Sequence, residues 1–248
     1  AVRLPSDRQL RGLFSHHNNK MIEAILFDFD GTLVDYVASD IQSLRWLHEH
    51  TGVSVPFDDF LETAVAEIMT FHELVDQNQI DPLMMHSFRL QNTFGRYEMS
   101  CDKRWVQQYQ NQLICNCSPL PGVVEMLQII QTRAKLGLVT NAYDGQEQRA
   151  RIKNSGLVQF FDCIVVAGEV GIYKPDPALF LQAVRLLNTT PGQTIFVGDS
   201  LKYDVVGAIS AGLQTVLVTK NLHSLASKAD YNVQSINSLT QLLQKLTT

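Results

Sequence analysis

Carboxylates, a threonine and a lysine stand where the apolar runs of this chain stop. Ile25-Leu26-Phe27 ends in Asp28-Phe29-Asp30, with Gly31-Thr32 behind it as a turn signal. Leu136-Gly137-Leu138-Val139 ends in Thr140-Asn141. Ile195-Phe196-Val197-Gly198 ends in Asp199-Ser200, and Asp204 follows about one helical turn later. Residues two apart on a strand share a face, so Asp28 and Asp30 are expected side by side at a strand's carboxyl end. Like charges that close are costly unless a cation or a proton lies between them. Lys174 sits between Tyr173 and Pro175, just ahead of the strong helix start Asp176-Pro177. A cation placed there binds substrate phosphate and offsets the acids. Three or four carboxylates meeting in one crevice call for a divalent cation, and oxygen-only ligands favour Mg²⁺ over zinc.

The elements that must position these groups follow from the apolar pattern. From Leu136 onward the chain alternates: helix Gln146–Ser155, strand Cys163–Ala167, helix Pro177–Leu187, strand Thr194–Val197, helix Leu201–Ala211, strand Gln214–Val218, and a closing helix Ser238–Leu246. Such alternation predicts an α/β fold, a Rossmann-like parallel sheet with right-handed crossovers and helices on both faces. Ligands bind such sheets at the carboxyl ends of the strands, where the polar residues above are found. Between Val34 and Ser118 no β-rich run appears. Four helical patterns fill that stretch: Ile41, Leu44 and Leu47 at helical spacing with Gly52 as a stop, then runs opened by Asp58-Asp59, Asp81-Pro82 and Asp102. Residues 34–118 therefore read as an all-helical domain inserted after the first strand, with 21–33 and 119–248 forming the α/β core. Residues 1–20 are polar and basic without periodicity, and read as a leader or extension outside the fold.

Composition narrows the function classes. A net charge of −5 leaves no basic footprint for nucleic acid or an anionic membrane, and no apolar run reaches the length of a membrane span. Cys101, Cys115, Cys117 and Cys163 have the spacing of neither a disulfide framework nor a zinc site, so free thiols in a cytoplasmic protein are expected.

Asp28-Phe29-Asp30-Gly31-Thr32, Thr140, Lys174 and Gly198-Asp199-Ser200 with Asp204 resemble the four ordered motifs of the haloacid dehalogenase-like hydrolase superfamily. The likeness runs from about Met21 to Val218, and residues 34–118 resemble the helical cap that family inserts between its first and second motifs. Gly168–Phe180 is most similar to the branch of house-cleaning nucleotidases and N-acylneuraminate phosphatases. The resemblance implies a Mg²⁺-dependent phosphatase acting on a small phosphorylated metabolite, a nucleotide or sugar phosphate. Asp28 would be the nucleophile that becomes an aspartyl phosphate, and Asp30 the general acid and then base. Asp28, the main-chain carbonyl of Asp30, and Asp199 would hold the metal. Thr140, Asn141 and Lys174 would bind phosphoryl oxygens, with Asp204 and Ser200 supporting them.

Departures from neighbouring branches sharpen the expectation. Family dehalogenases lack the second acid, and phosphonate hydrolases usually carry Ala where this chain has Asp30. Sugar-phosphate mutases carry a histidine on the first cap helix where this chain has Asp40. A phosphomutase is the nearest rival, and a non-catalytic binding protein on the same fold the other. Substrate choice falls to the cap, where Arg45, His48, His72, His86, Arg89 and Arg96 are candidates, most of them expected to be plain surface residues of helices.

Overall fold

The computed structural model describes residues 21–219 and 228–247. The expected leader, residues 1–20, lies outside the described residues. Six parallel strands form one sheet: β1 (Ala24–Phe27), β2 (Lys135–Thr140), β3 (Cys163–Val166), β4 (Thr194–Gly198), β5 (Gln214–Val218) and β6 (Tyr231–Val233). Their spatial order is β3-β2-β1-β4-β5-β6. The chain thus builds outward from β1 on one side, then returns to lay β4 on its other side. That reversal opens a crevice between the carboxyl ends of β1 and β4. Asp28 follows β1 and Asp199 follows β4, so topology alone brings them together.

Strand alternation divides the core into two layers. Ile25 and Phe27 of β1 pack with Leu136, Leu138, Ile195 and Val197 under helices α5 (Val123–Ile130) and α10 (Ile236–Leu246). Ala24 and Leu26 face the other way, with Val139 and Phe196, onto α8 (Pro177–Leu186) and α9 (Val206–Ser210). Between the strands, α6 (Gly145–Asn154) starts on Asp144, whose carboxylate accepts from the Gln146 and Glu147 N–H groups. A single turn, α7 (Ala167–Val170), follows β3.

Two elements differ from the sequence expectation. The three-residue strand β6 is too short to leave a pattern; it is held in place where the Asp230 carboxylate accepts from the Thr215 N–H and hydroxyl. Leu201–Ala211 is also no regular α-helix. Leu201–Val205 is a π-turn, and only Val206–Ser210 is α-helical. The wider turn aims Asp204 back over the strand end, where its Oδ2 accepts from the Ser200 N–H at 3.0 Å.

The stretch between β1 and α5 is helical: α1 (Tyr36–Thr51), α2 (Phe57–Asp76), a 3₁₀ turn at Pro82–Met84, α3 (Met85–Gly95) and α4 (Lys103–Cys115). These helices share an apolar cluster of their own, with Leu44, Leu47, Phe60, Leu90, Phe94, Tyr109 and Leu113 at its centre. The chain leaves and re-enters the sheet domain at one place, for Val34 and Pro119 form an antiparallel bridge and the Leu120 N–H donates to the Leu33 carbonyl at 2.8 Å.

Candidate active site

Asp28 is buried at the end of β1, and the Lys174 Nζ donates to its Oδ1 at 2.5 Å and to Asp204 Oδ1 at 2.7 Å. Lys174 is only 4% exposed. Burial works against its charge, but the two carboxylates outweigh burial and hold the ammonium protonated well above its ordinary range. The loop that delivers Lys174 is itself clamped. The Asn141 Oδ1 accepts from the Lys174 N–H at 2.9 Å, and its Nδ2 donates to the Lys174 carbonyl at 3.1 Å. Expected as a phosphate ligand, the Asn141 side chain is occupied with positioning Lys174.

Asp28, Asp199 and Asp204 each present a carboxylate oxygen within 4.8 Å of the others. The Thr32 hydroxyl reaches between Asp28 and Asp199, 3.4 Å from an oxygen of each. Glycines permit this crowding. Gly31 has φ +85°, and a Cβ on it would lie 2.4 Å from Asp199 Oδ2; a Cβ on Gly198 would strike Asp204 Oδ2 at the same distance. Burial pushes the Asp28 carboxyl well above the usual carboxylate range, with Lys174 opposing. Asp199 is raised less, first by the protein packed around it and then by the Asp204 charge. Two buried acids and the exposed Asp199 face a single ammonium, so the acidic groups outnumber the cation beside them. A divalent cation relieves that excess, and an all-oxygen donor set suits a hard ion such as Mg²⁺.

Asp30 is held differently from Asp28. Regular strand geometry ends at Phe27, so the two-residue alternation no longer applies two positions on. The Asp30 carboxylate turns instead towards α6, where Arg151 holds it from both nitrogens, Nη2 to Oδ1 at 2.5 Å and Nη1 to Oδ2 at 3.0 Å. Gln148 Nε2 donates to Asp30 Oδ2 and to Thr140 Oγ1, both at 2.9 Å, while its Oε1 accepts from Arg151 Nη1 at 2.7 Å. Ser200 serves the local turn, its hydroxyl accepting from the Tyr203 N–H at 3.2 Å.

The architecture and the acidic cluster agree with what comparison finds: a family model for haloacid dehalogenase-like hydrolases matches residues 25–218. The chain belongs to the haloacid dehalogenase-like hydrolases. Among relatives of this hydrolase, pyrimidine 5'-nucleotidase YjjG of Escherichia coli (strain K12) is 30% identical over 89% of this chain and 97% of its own length. The human N-acylneuraminate-9-phosphatase is 38% identical over 50% of this chain and 51% of its own. The HAD-hydrolase YfnB from Bacillus subtilis superposes with a TM-score of 0.77 over 91% of this chain and 100% of its own, at 23% identity, a likeness of fold.

Sequence reasoning about this hydrolase missed Gln148 and Arg151. A signal for them exists: α6 carries only Ala150 and Ile152 as apolar residues, so a helix lying against the core must turn polar groups inward. The expectation that the insertion's charged residues are mostly surface groups holds for Arg45 and Arg96 but fails for two others. Arg89 is buried, paired to both oxygens of Asp40 at 2.9 and 3.0 Å, with the Tyr109 hydroxyl 2.5 Å from Asp40 Oδ1. His86 is buried against the sheet domain, its Nε2 3.0 Å from Glu147 Oε1. His48 Nε2 bonds the Val55 carbonyl at 2.8 Å, and His72 lies 3.4 Å from the Tyr143 hydroxyl. Among the described residues no helix is long and apolar enough to cross a membrane.

Proposed function

We propose that this chain is a divalent-cation-dependent phosphatase that hydrolyses a small phosphate monoester, a nucleotide or sugar phosphate, through an aspartyl phosphate on Asp28. The observation that carries this reading is the buried Asp28–Lys174–Asp204 chain beside Asp199 at the β1/β4 crevice. Such a cluster costs stability and performs no packing that apolar residues could not do better. It suits a phosphoryl group that needs a nucleophile on one side and positive charge around its oxygens.

The chemistry divides into two displacements. Asp28 attacks phosphorus, the bond from phosphorus to the leaving oxygen breaks, and Asp30 gives that oxygen its proton. Water then attacks the aspartyl phosphate, yielding its proton to Asp30; the phosphorus–Asp28 bond breaks and inorganic phosphate leaves. Lys174 has three N–H donors, two of them spent on Asp28 and Asp204, so one remains for a phosphoryl oxygen. Asp28, Asp199 and the Asp30 carbonyl would hold the cation, which supplies charge neutralisation on the transferring group. The helical insertion, residues 34–118, then serves as the cap that selects the leaving group, with 21–33 and 119–248 as the catalytic core domain.

The relatives' names support the substrate class: a pyrimidine 5'-nucleotidase, a glyceraldehyde 3-phosphate phosphatase from Methanopyrus kandleri and an N-acylneuraminate-9-phosphatase all act on small phosphorylated metabolites. Mutase chemistry is disfavoured because Asp40, on the first insertion helix, is locked between Arg89 and Tyr109. A panel of nucleoside monophosphates and sugar phosphates with Mg²⁺ tests the reading by phosphate release. Free alcohol and inorganic phosphate are expected; an isomerised hexose phosphate from hexose 1-phosphate would overturn hydrolysis, and silence across the panel would overturn the phosphatase itself.

A further inference from the structure

The proposed roles leave two buried polar side chains of α6 unexplained, Gln148 and Arg151, each 2% exposed. Both sit on one face of the helix, three residues apart, so they approach the site as a unit. Arg151 lies against two aromatic rings, its guanidinium carbon 4.8 Å from the Tyr36 ring centroid and 5.7 Å from that of Phe29. A guanidinium presents its donors in a rigid planar fork, so holding it also fixes the plane and depth of the carboxylate it grips.

Gln148 extends that order to a second group. Its Oε1 accepts from Arg151, which settles which end of the amide is which; both Nε2 protons then point at acceptors, Asp30 Oδ2 and Thr140 Oγ1. A threonine hydroxyl that accepts from an amide has its own proton turned elsewhere. Thr140, at the carboxyl end of β2, is thereby set as a donor towards the crevice, where a phosphoryl oxygen would lie.

We infer that Gln148 and Arg151 are positioning residues for the reaction: together they set the geometry of the acid–base carboxylate Asp30, and Gln148 alone also orients the Thr140 hydroxyl as a phosphate donor. This rests on the phosphatase reading, because it gives Asp30 and Thr140 their tasks. Neither α6 side chain touches the transferring group. Their effect is on how well protons reach the leaving oxygen and how well the phosphoryl oxygens are held.

The test compares wild-type protein with Gln148→Leu, Arg151→Leu and the milder Arg151→Lys, each checked for folding by circular dichroism and thermal melting. kcat/KM is measured with Mg²⁺ on phosphate esters spanning alkyl to nitrophenyl leaving groups. A good leaving group departs without a proton, whereas an alkoxide does not. Misplacing Asp30 should cost alkyl esters roughly 10²-fold, the low end of general-acid effects, while p-nitrophenyl phosphate changes by only about threefold. Slow hydrolysis of the aspartyl phosphate, which needs Asp30 as base, should then appear as a burst of nitrophenol. Inhibition by inorganic phosphate should weaken in Gln148→Leu and stay near wild type in Arg151→Lys, separating the two tasks. Equal losses on every ester, or an unchanged leaving-group dependence in folded variants, overturns this inference and leaves the phosphatase intact. A wild-type protein inert on all the esters overturns both.

Discussion

Lys174→Met gives the sharpest test of the site, because burial makes it affect stability as well as turnover. Met retains the length of the side chain and its apolar stem but removes the ammonium that binds Asp28 Oδ1 at 2.5 Å and Asp204 Oδ1 at 2.7 Å. Removing one partner from a buried pair typically costs about 3–5 kcal/mol, since the remaining charges stay desolvated. The site limits that cost by taking up a proton. The Asp28 carboxyl, already raised by burial, loses the cation that opposed the rise. The folded variant then keeps a proton that the unfolded chain releases above a pKa near 4, so folded-state binding exceeds unfolded-state binding and stability falls as pH rises. The deficit relative to wild type should shrink on acidification, by well under the roughly 1.4 kcal/mol per pH unit of a whole proton, because burial raises Asp28 in the wild type as well. Urea unfolding at pH 6 and pH 8 measures this. Added Mg²⁺ should recover part of the loss at pH 8 by binding only the folded state. Phosphate release should fall roughly 10²-fold or more at both pH values, the scale for losing a preorganised electrostatic group. A variant with a wild-type urea midpoint at both pH values and near-normal turnover would show that Lys174 neither balances the acids nor serves the reaction.

Three further outcomes follow from the same geometry. Asp28→Asn keeps shape and an acceptor for Lys174 while removing the attacking charge, so turnover should drop by several orders of magnitude in a folded protein; wild-type-like phosphate release would exclude covalent catalysis by this residue. Activity should disappear in chelator, return with Mg²⁺ and be inhibited by Ca²⁺, whose larger and looser shell misplaces the clustered oxygens; full turnover in excess chelator would refute the cation. Joining Val34 to Pro119 through a short linker should leave a core that folds and binds Mg²⁺, because those residues already pair across the entry point. That core should hydrolyse phosphate esters without the full chain's preferences, and an unchanged substrate ranking would remove the insertion as the selecting element.

The sheet could be read from sequence because its determinants are local. Ile25-Leu26-Phe27 and Ile195-Phe196-Val197 are apolar runs bounded by turns, and Asp176-Pro177 or Asp102 start helices through contacts within a few residues. Parallel topology then follows from alternation, and with it the meeting of Asp28 and Asp199 at one crevice. The order of motifs pointed to Lys174 and Asp204 in the same place, where the side chains now meet.

What sequence left open depends on side chains that come from distant elements and compete for one another. Asp30 lies two residues from Asp28 yet turns to Arg151, 121 positions away, because strand periodicity stops at Phe27 and a buried guanidinium must have a carboxylate. Asn141 reads as a phosphate ligand from its place at a strand end, and only the structure shows its side-chain amide holding the Lys174 backbone on both sides. Gln148 gives no motif signal, since its task is defined only by Thr140, Asp30 and Arg151 converging on one amide. Asp204 faces inward through a π-turn that local propensity does not encode, stabilised by Lys174 from another loop. Residue types near strand ends announce which chemistry is available. Which of those residues grips which is decided by packing, because a buried charge or amide takes whatever partner the tertiary structure brings within hydrogen-bond reach.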